Sequence, residues 1–160
     1  MGSKPSFDMS RLSTGTKVLL GAGVLLFIDM ILPWNRICES GQCLSTSGWN
    51  GIGVLLGILL VLLLIWEGAA AAAVNINVSG VPKTMVSVAL AGAVALFALI
   101  RALVKPSVLF VSLGQTAWAW IGLILGLVIA VGGYLKYQEE RAAPPLPGPG
   151  PGPGGPPFTT

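Results

Sequence analysis

Read along the chain, apolar positions gather into four blocks of about 16 to 24 residues, separated by more polar stretches. About 20 residues of helix cross a hydrocarbon core about 30 Å thick. The pattern therefore predicts an all-α membrane protein, a bundle of four transmembrane helices. The expected spans are 18–34, 50–72, 84–104 and 115–136, within one membrane domain over residues 18–137.

The first block is apolar from Val18 to Pro33 except for Asp29 and follows a start that carries Lys4, Arg11 and Lys17. No A-x-A-like cleavage site follows it, so it reads as an uncleaved signal anchor rather than a secretory leader. Asn35 to Gly48 reads as a polar loop. The second block is almost wholly aliphatic from Gly51 to Trp66, and the alanines at 69–73 favour continuing its helix, since alanine has the highest helix propensity. Gly80 and Pro82 mark the turn into the third block, which runs from Met85 to Val104 and is broken only by Arg101. In the link that follows, the short run Val108 to Val111 either lies in the interface or begins the last helix early. The fourth block, Trp118 to Leu135, is closed by Lys136 and Tyr137.

Composition strengthens the membrane reading. A chain of 160 residues that is 54% hydrophobic and 9% charged has too little interior to hide its apolar side chains from water. The net charge of +3 then needs no nucleic-acid partner, because Lys and Arg accumulate on the cytoplasmic side of membrane proteins. With both termini in the cytoplasm, Lys4, Arg11, Lys17, Lys83, Lys136 and Arg141 lie inside, against Arg36, Arg101 and Lys105 outside. This bias predicts a multi-pass protein of the cell membrane, with residues 1–17 as a cytoplasmic N-terminal segment. The aromatic residues fit the same topology, with Trp34, Trp49, Trp118 and Trp120 as anchors at the outer interface and Trp66, Tyr134 and Tyr137 at the inner one.

Residues 138–160 read as a disordered Pro/Gly-rich cytoplasmic tail, with neither apolar residues for a core nor enough backbone donors for regular structure. Pro144 to Pro147 fits a minimal P-x-x-P ligand. Two further matches carry little weight. The Met1-Gly2 start with Ser6 fits N-myristoylation, which four spans make superfluous, and the Asn77-Val78-Ser79 sequon falls on the cytoplasmic side.

The candidate chemistry is sparse. The chain has no His, and two Cys do not make a four-ligand metal site. No nucleophile stands beside a base, so the expectation is a non-enzymatic protein without cofactor or metal. Charges inside a membrane are functional candidates by default. Asp29 lies about 18 Å above Lys17 and Arg101 about 24 Å above Met85 along their helices, so an ion pair between them is expected in the outer leaflet. Glu67, next to Trp66, is expected at the cytoplasmic boundary, where it needs no partner. Cys38 and Cys43 enclose four residues on the oxidising side, which leaves a disulfide-closed ring or two free thiols. Small residues at four-residue spacing, Gly53 and Gly57, Ala91 and Ala95, and Gly122, Gly126 and Ala130, permit close helix packing, within one chain or in a homo-oligomer.

The segments FIDMILPW (27–34), SGWNGIGVL (47–55), LFALIRALV (96–104) and SLGQTAWAWIGLILGLVIAVGGYL (112–135) resemble a group of uncharacterised actinobacterial four-span membrane proteins. The resemblance covers residues 17–137 and implies the four-span topology with a short outer loop and variable tails; it implies no activity. The expected role is that of a scaffold in the lipid bilayer that binds other envelope proteins through residues 142–160. The alternative is a small oligomeric transporter or channel using Asp29 and Glu67.

Overall fold

The computed structural model describes residues 12–39, 41–72, 81–104, 107–108, 111–112 and 114–142. Among these are four helices, α1 (Thr14–Asp29), α2 (Gly53–Ala71), α3 (Lys83–Leu103) and α4 (Ala117–Ala142). The strands are β1 (Pro33–Glu39), β2 (Gln42–Ser47), β3 (Ser107–Val108), β4 (Val111–Ser112) and β5 (Gly114–Gln115). The two motif matches near the N-terminus and at 77–79, and the Pro/Gly-rich tail beyond residue 142, lie outside the described residues.

Three of the helices, α2, α3 and α4, are long and apolar enough to cross a membrane. Helix α1 has 16 residues, about 24 Å of rise. Its start is fixed by Ser13, whose hydroxyl accepts a hydrogen bond from the Thr16 amide at 3.2 Å. Its end comes four residues before Pro33, where Ile31 and Leu32 donate to the carbonyls of Ile28 and Asp29 in a tightened last turn.

Each helix buries one stripe at three- and four-residue spacing. Leu19, Ala22, Gly23 and Leu26 line α1; Leu56, Leu60 and Leu63 line α2; Ala91, Val94 and Ala98 line α3; Gly122, Gly126 and Ile129 line α4. These stripes meet in one core, with α1 packed on α2 and α4, and α3 on α2 and α4. Outside it stands a coat of exposed apolar side chains, such as Leu55, Ile58, Leu62 and Ile65 on α2 and Ile124, Leu127 and Val131 on α4. An apolar patch of this extent is matched to hydrocarbon, not to water.

Close packing rests on the small residues. A Cβ built on Gly126 would stand 2.7 Å from the Ala98 Cβ, so α3 and α4 approach almost backbone to backbone there. Gly53, Gly57, Ala91, Gly122 and Gly126 are all buried within this single chain.

The stretch 35–48, expected as an irregular loop, is a β-hairpin, so the described residues are not all α. β1 pairs antiparallel with β2, placing Cys38 opposite Cys43 and Glu39 opposite Gln42, and Gly41 at the tip has a φ of 82°, the left-handed region that glycine enters without strain. β5 adds to the other edge of β1 through Asn35–Gln115 and Arg36–Gly114. The sheet, ordered β2-β1-β5, stands at the bundle end where α1 and α3 finish and α2 and α4 begin. We refer to this as the capped end. The apolar run at 108–111 does not start α4 early: Val108 and Val111 pair in the antiparallel strands β3 and β4, and α4 begins at Ala117. Helix α4 runs six residues past the expected span end at 136, so Gln138 to Ala142 belong to the helix.

Candidate functional site

Seven polar or charged residues are buried among the described ones: Thr16, Asp29, Asn35, Glu67, Thr84, Ser87 and Arg101. The charged ones divide into clusters at the two ends of the bundle. Gly122 marks one level on α4 and Lys136 the other, fourteen residues and about 21 Å apart. A hydrocarbon layer about 30 Å thick centred between them encloses both.

At the end opposite the cap, Glu67 is fully buried and forms a salt bridge with Lys136. The ammonium donates to both carboxylate oxygens, at 2.8 and 2.7 Å, and to the Ser87 hydroxyl at 3.0 Å. The Trp66 indole N–H donates to the same hydroxyl at 3.2 Å. The pair thus joins α2 to α4 across the bundle, with α3 supplying the serine. This corrects the expectation of an unpartnered Glu67 at the membrane boundary. Glu67 continues the inward stripe Leu56, Leu60, Leu63 by four residues, so helix geometry turns it into the bundle whatever the neighbouring indole does. Nearby, the Glu139 carboxylate accepts from the Gly15 amide at 3.4 Å, favourable for an acid at the positive end of α1.

At the capped end, Trp34 is the organising residue. It is fully buried within the protein, which corrects its expected role as an anchor at the outer interface. Its indole N–H donates to the Asp29 carbonyl at 3.0 Å, and the Arg101 guanidinium carbon lies 5.9 Å from its ring centroid. The surrounding backbone is bound down as well: Thr116 donates its hydroxyl to the Pro33 carbonyl at 2.5 Å and its amide to the Trp34 carbonyl at 2.9 Å. Asp29 and Arg101 both reach this indole but do not form the direct ion pair expected from their heights. Both Asp29 carboxylate oxygens, and Nε and Nη2 of Arg101, have no protein hydrogen-bond partner.

Of the other expected anchors, Trp118 and Trp120 are 40% and 52% exposed and face outward from α4, whereas Trp49 and Trp66 are half-buried. Trp49 meets Phe27 edge to face at 5.7 Å. Cys38 and Cys43 are joined in a disulfide across the hairpin. Lys136, Ser87 and the buried state of Trp34 were not anticipated from sequence. The signal for the first two is that Ser87 lies on the inward stripe Thr84, Ser87, Ala91, and Lys136 follows Gly122, Ile129 and Gly132 on the buried face of α4.

Among the described residues no three His, Cys, Asp or Glu side chains gather to hold a metal ion. No protein-family model, curated protein or solved structure matches the chain.

Proposed function

We propose that this is a four-span envelope protein that acts by binding other proteins, with both termini in the cytoplasm and the sheet displayed on the outer side of the cell membrane. The observation that carries this reading is the cap itself. A short hairpin rarely holds together alone in water, yet here it is closed by a disulfide, paired with β5 and fastened to the bundle through Trp34. Its outer strand, β2, is an edge strand with Gln42 to Ser45 exposed and no charged residue along it. An uncharged, unprotected edge is a surface suited to adding a strand from a partner.

Support for α1 as the fourth span comes from its packing. It lies antiparallel along α4, with Gly15 against Lys136 at one end and Asp29 against Gly122 at the other. Its outer face presents Val24, Leu25 and Ile28, each at least half exposed, like the coat of its neighbours. A topology with an even number of spans also fits the positive-inside bias and the resemblance to actinobacterial four-span proteins. The transporter reading is weaker for a single chain, because Leu19, Leu26, Leu56, Leu60, Leu63 and Ile129 fill the bundle interior. Contact through residues 142–160 would be a second, cytoplasmic arm of the same function.

A photo-crosslinking residue at position 44 tests the reading in native membranes. Discrete protein adducts are expected there, weakened by C38S/C43S, and absent from a matched probe at Leu127 on the lipid-facing side of α4. If position 44 gives no protein adduct while deletion of 143–160 abolishes co-purification, the binding surface is the tail and the cap is not the interaction element.

A further inference from the structure

We infer that Asp29 and Arg101 are joined through bound water beside Trp34, which makes the capped end of the bundle a buried hydration site. Both residues are at least nine-tenths buried, at 4% and 5% exposure. They lie against the same indole. The Arg101 guanidinium is over its face, 5.9 Å from the centroid. A Cβ built on Gly122 would stand 2.7 Å from Asp29 Oδ2 and 2.3 Å from Trp34 Cζ2, which puts the carboxylate at the edge of that ring. No protein atom hydrogen-bonds either carboxylate oxygen, Arg101 Nε or Arg101 Nη2.

The chemistry of these four atoms selects the ligand. An ionised carboxylate only accepts hydrogen bonds and a guanidinium only donates them. A metal cation would suit Asp29 and be repelled by Arg101; an anion would meet the reverse. What satisfies both is small, neutral, and donor and acceptor at once. A water molecule gives its hydrogens to Asp29 and takes one from Arg101, at little enthalpic loss relative to a direct bond. The arrangement also accounts for two opposite charges that share one ring without meeting. Trp34, against which both groups lie, is itself held in place by the Asp29 carbonyl and the sheet.

Two measurements test this. In ¹⁵N-arginine-labelled protein in detergent micelles, the Arg101 Nε–H, assigned by R101K, is expected to show a dipolar cross-peak to long-lived water. In a double-mutant cycle followed by unfolding, D29N and R101M are each expected to raise the unfolding equilibrium constant about tenfold or more. The double variant is expected to be no worse than the poorer single one. An Nε–H without water contact overturns the hydration site even if the cycle shows coupling, because the coupling would then be direct. Additive losses in the cycle overturn it too, because the two charges would then be independent. The wild-type spectrum decides the question if a variant fails to fold.

Discussion

Replacing Lys136 with methionine is expected to destabilise the bundle by about 3–5 kcal/mol, the cost typical of breaking a buried ion pair by removing one partner. The stranded group is Glu67, which has no exposed surface, so the loss should fall toward the top of that range. Glu67→Ala should cost less. The Lys136 side chain keeps 16% exposure and has a flexible stem with which to move its ammonium toward the headgroups. Removing both charges with Glu67→Leu and Lys136→Met should recover most of the stability, since a well-packed apolar pair often equals or exceeds a buried ionic one. Unfolding in mixed micelles measures all three. If the double variant is as poor as Lys136→Met alone, the pair holds something beyond its own two charges.

A second large effect is expected at Gly122. A Cβ there would come within 2.3 Å of Trp34 and 2.7 Å of Asp29. Trp34 is fully buried and hydrogen-bonded to the Asp29 carbonyl, so neither neighbour can withdraw freely. Gly122→Ala should destabilise by about 1–3 kcal/mol, the usual range for overpacking, and Gly122→Leu by the upper end or more. Gly92→Ala is the contrasting control. That glycine is exposed within α3 with nothing near its missing Cβ, and alanine should stabilise the helix there by about 0.5–1 kcal/mol. Thermal melts of the three variants in detergent read the contrast directly. Equal gains on Gly→Ala at 122 and 92 would mean that helix propensity, not the contact between α1 and α4, governs both positions.

The helices were legible because hydrocarbon demands long uninterrupted apolar blocks, a signal that survives without any knowledge of packing. What lay beyond the sequence was set by which way side chains turn. Glu67 was read from its neighbour Trp66, although its place on the stripe from Leu56 to Leu63 points it into the bundle. Trp34 follows Pro33 at the end of an apolar block, the ordinary position of an interfacial anchor. It is buried because β1 folds back over the bundle, a tertiary event that local sequence does not encode. The hairpin has a local signature in Ser40-Gly41 between the cysteines, a turn dipeptide that fits a polar loop equally well. Helix rise puts Asp29 and Arg101 at similar heights, but rise alone says nothing about the indole that both of them meet. The last turns of α4 carry Gln138, Glu139, Glu140 and Arg141, polar residues that read as tail although Glu, Gln and Arg are good helix formers.

The central claim is that α1 crosses the membrane beside α4, and it is tested most directly by sidedness. Single reporter cysteines at positions 13, 45 and 138, with the native disulfide intact, can be treated with a membrane-impermeant maleimide in sealed cells and again after permeabilisation. Labelling at 45 in sealed cells, with 13 and 138 labelled only after permeabilisation, is the expected result. Labelling of 13 in sealed cells while 138 stays protected would place the two ends of the α1–α4 pair on opposite faces and contradict the four-span bundle.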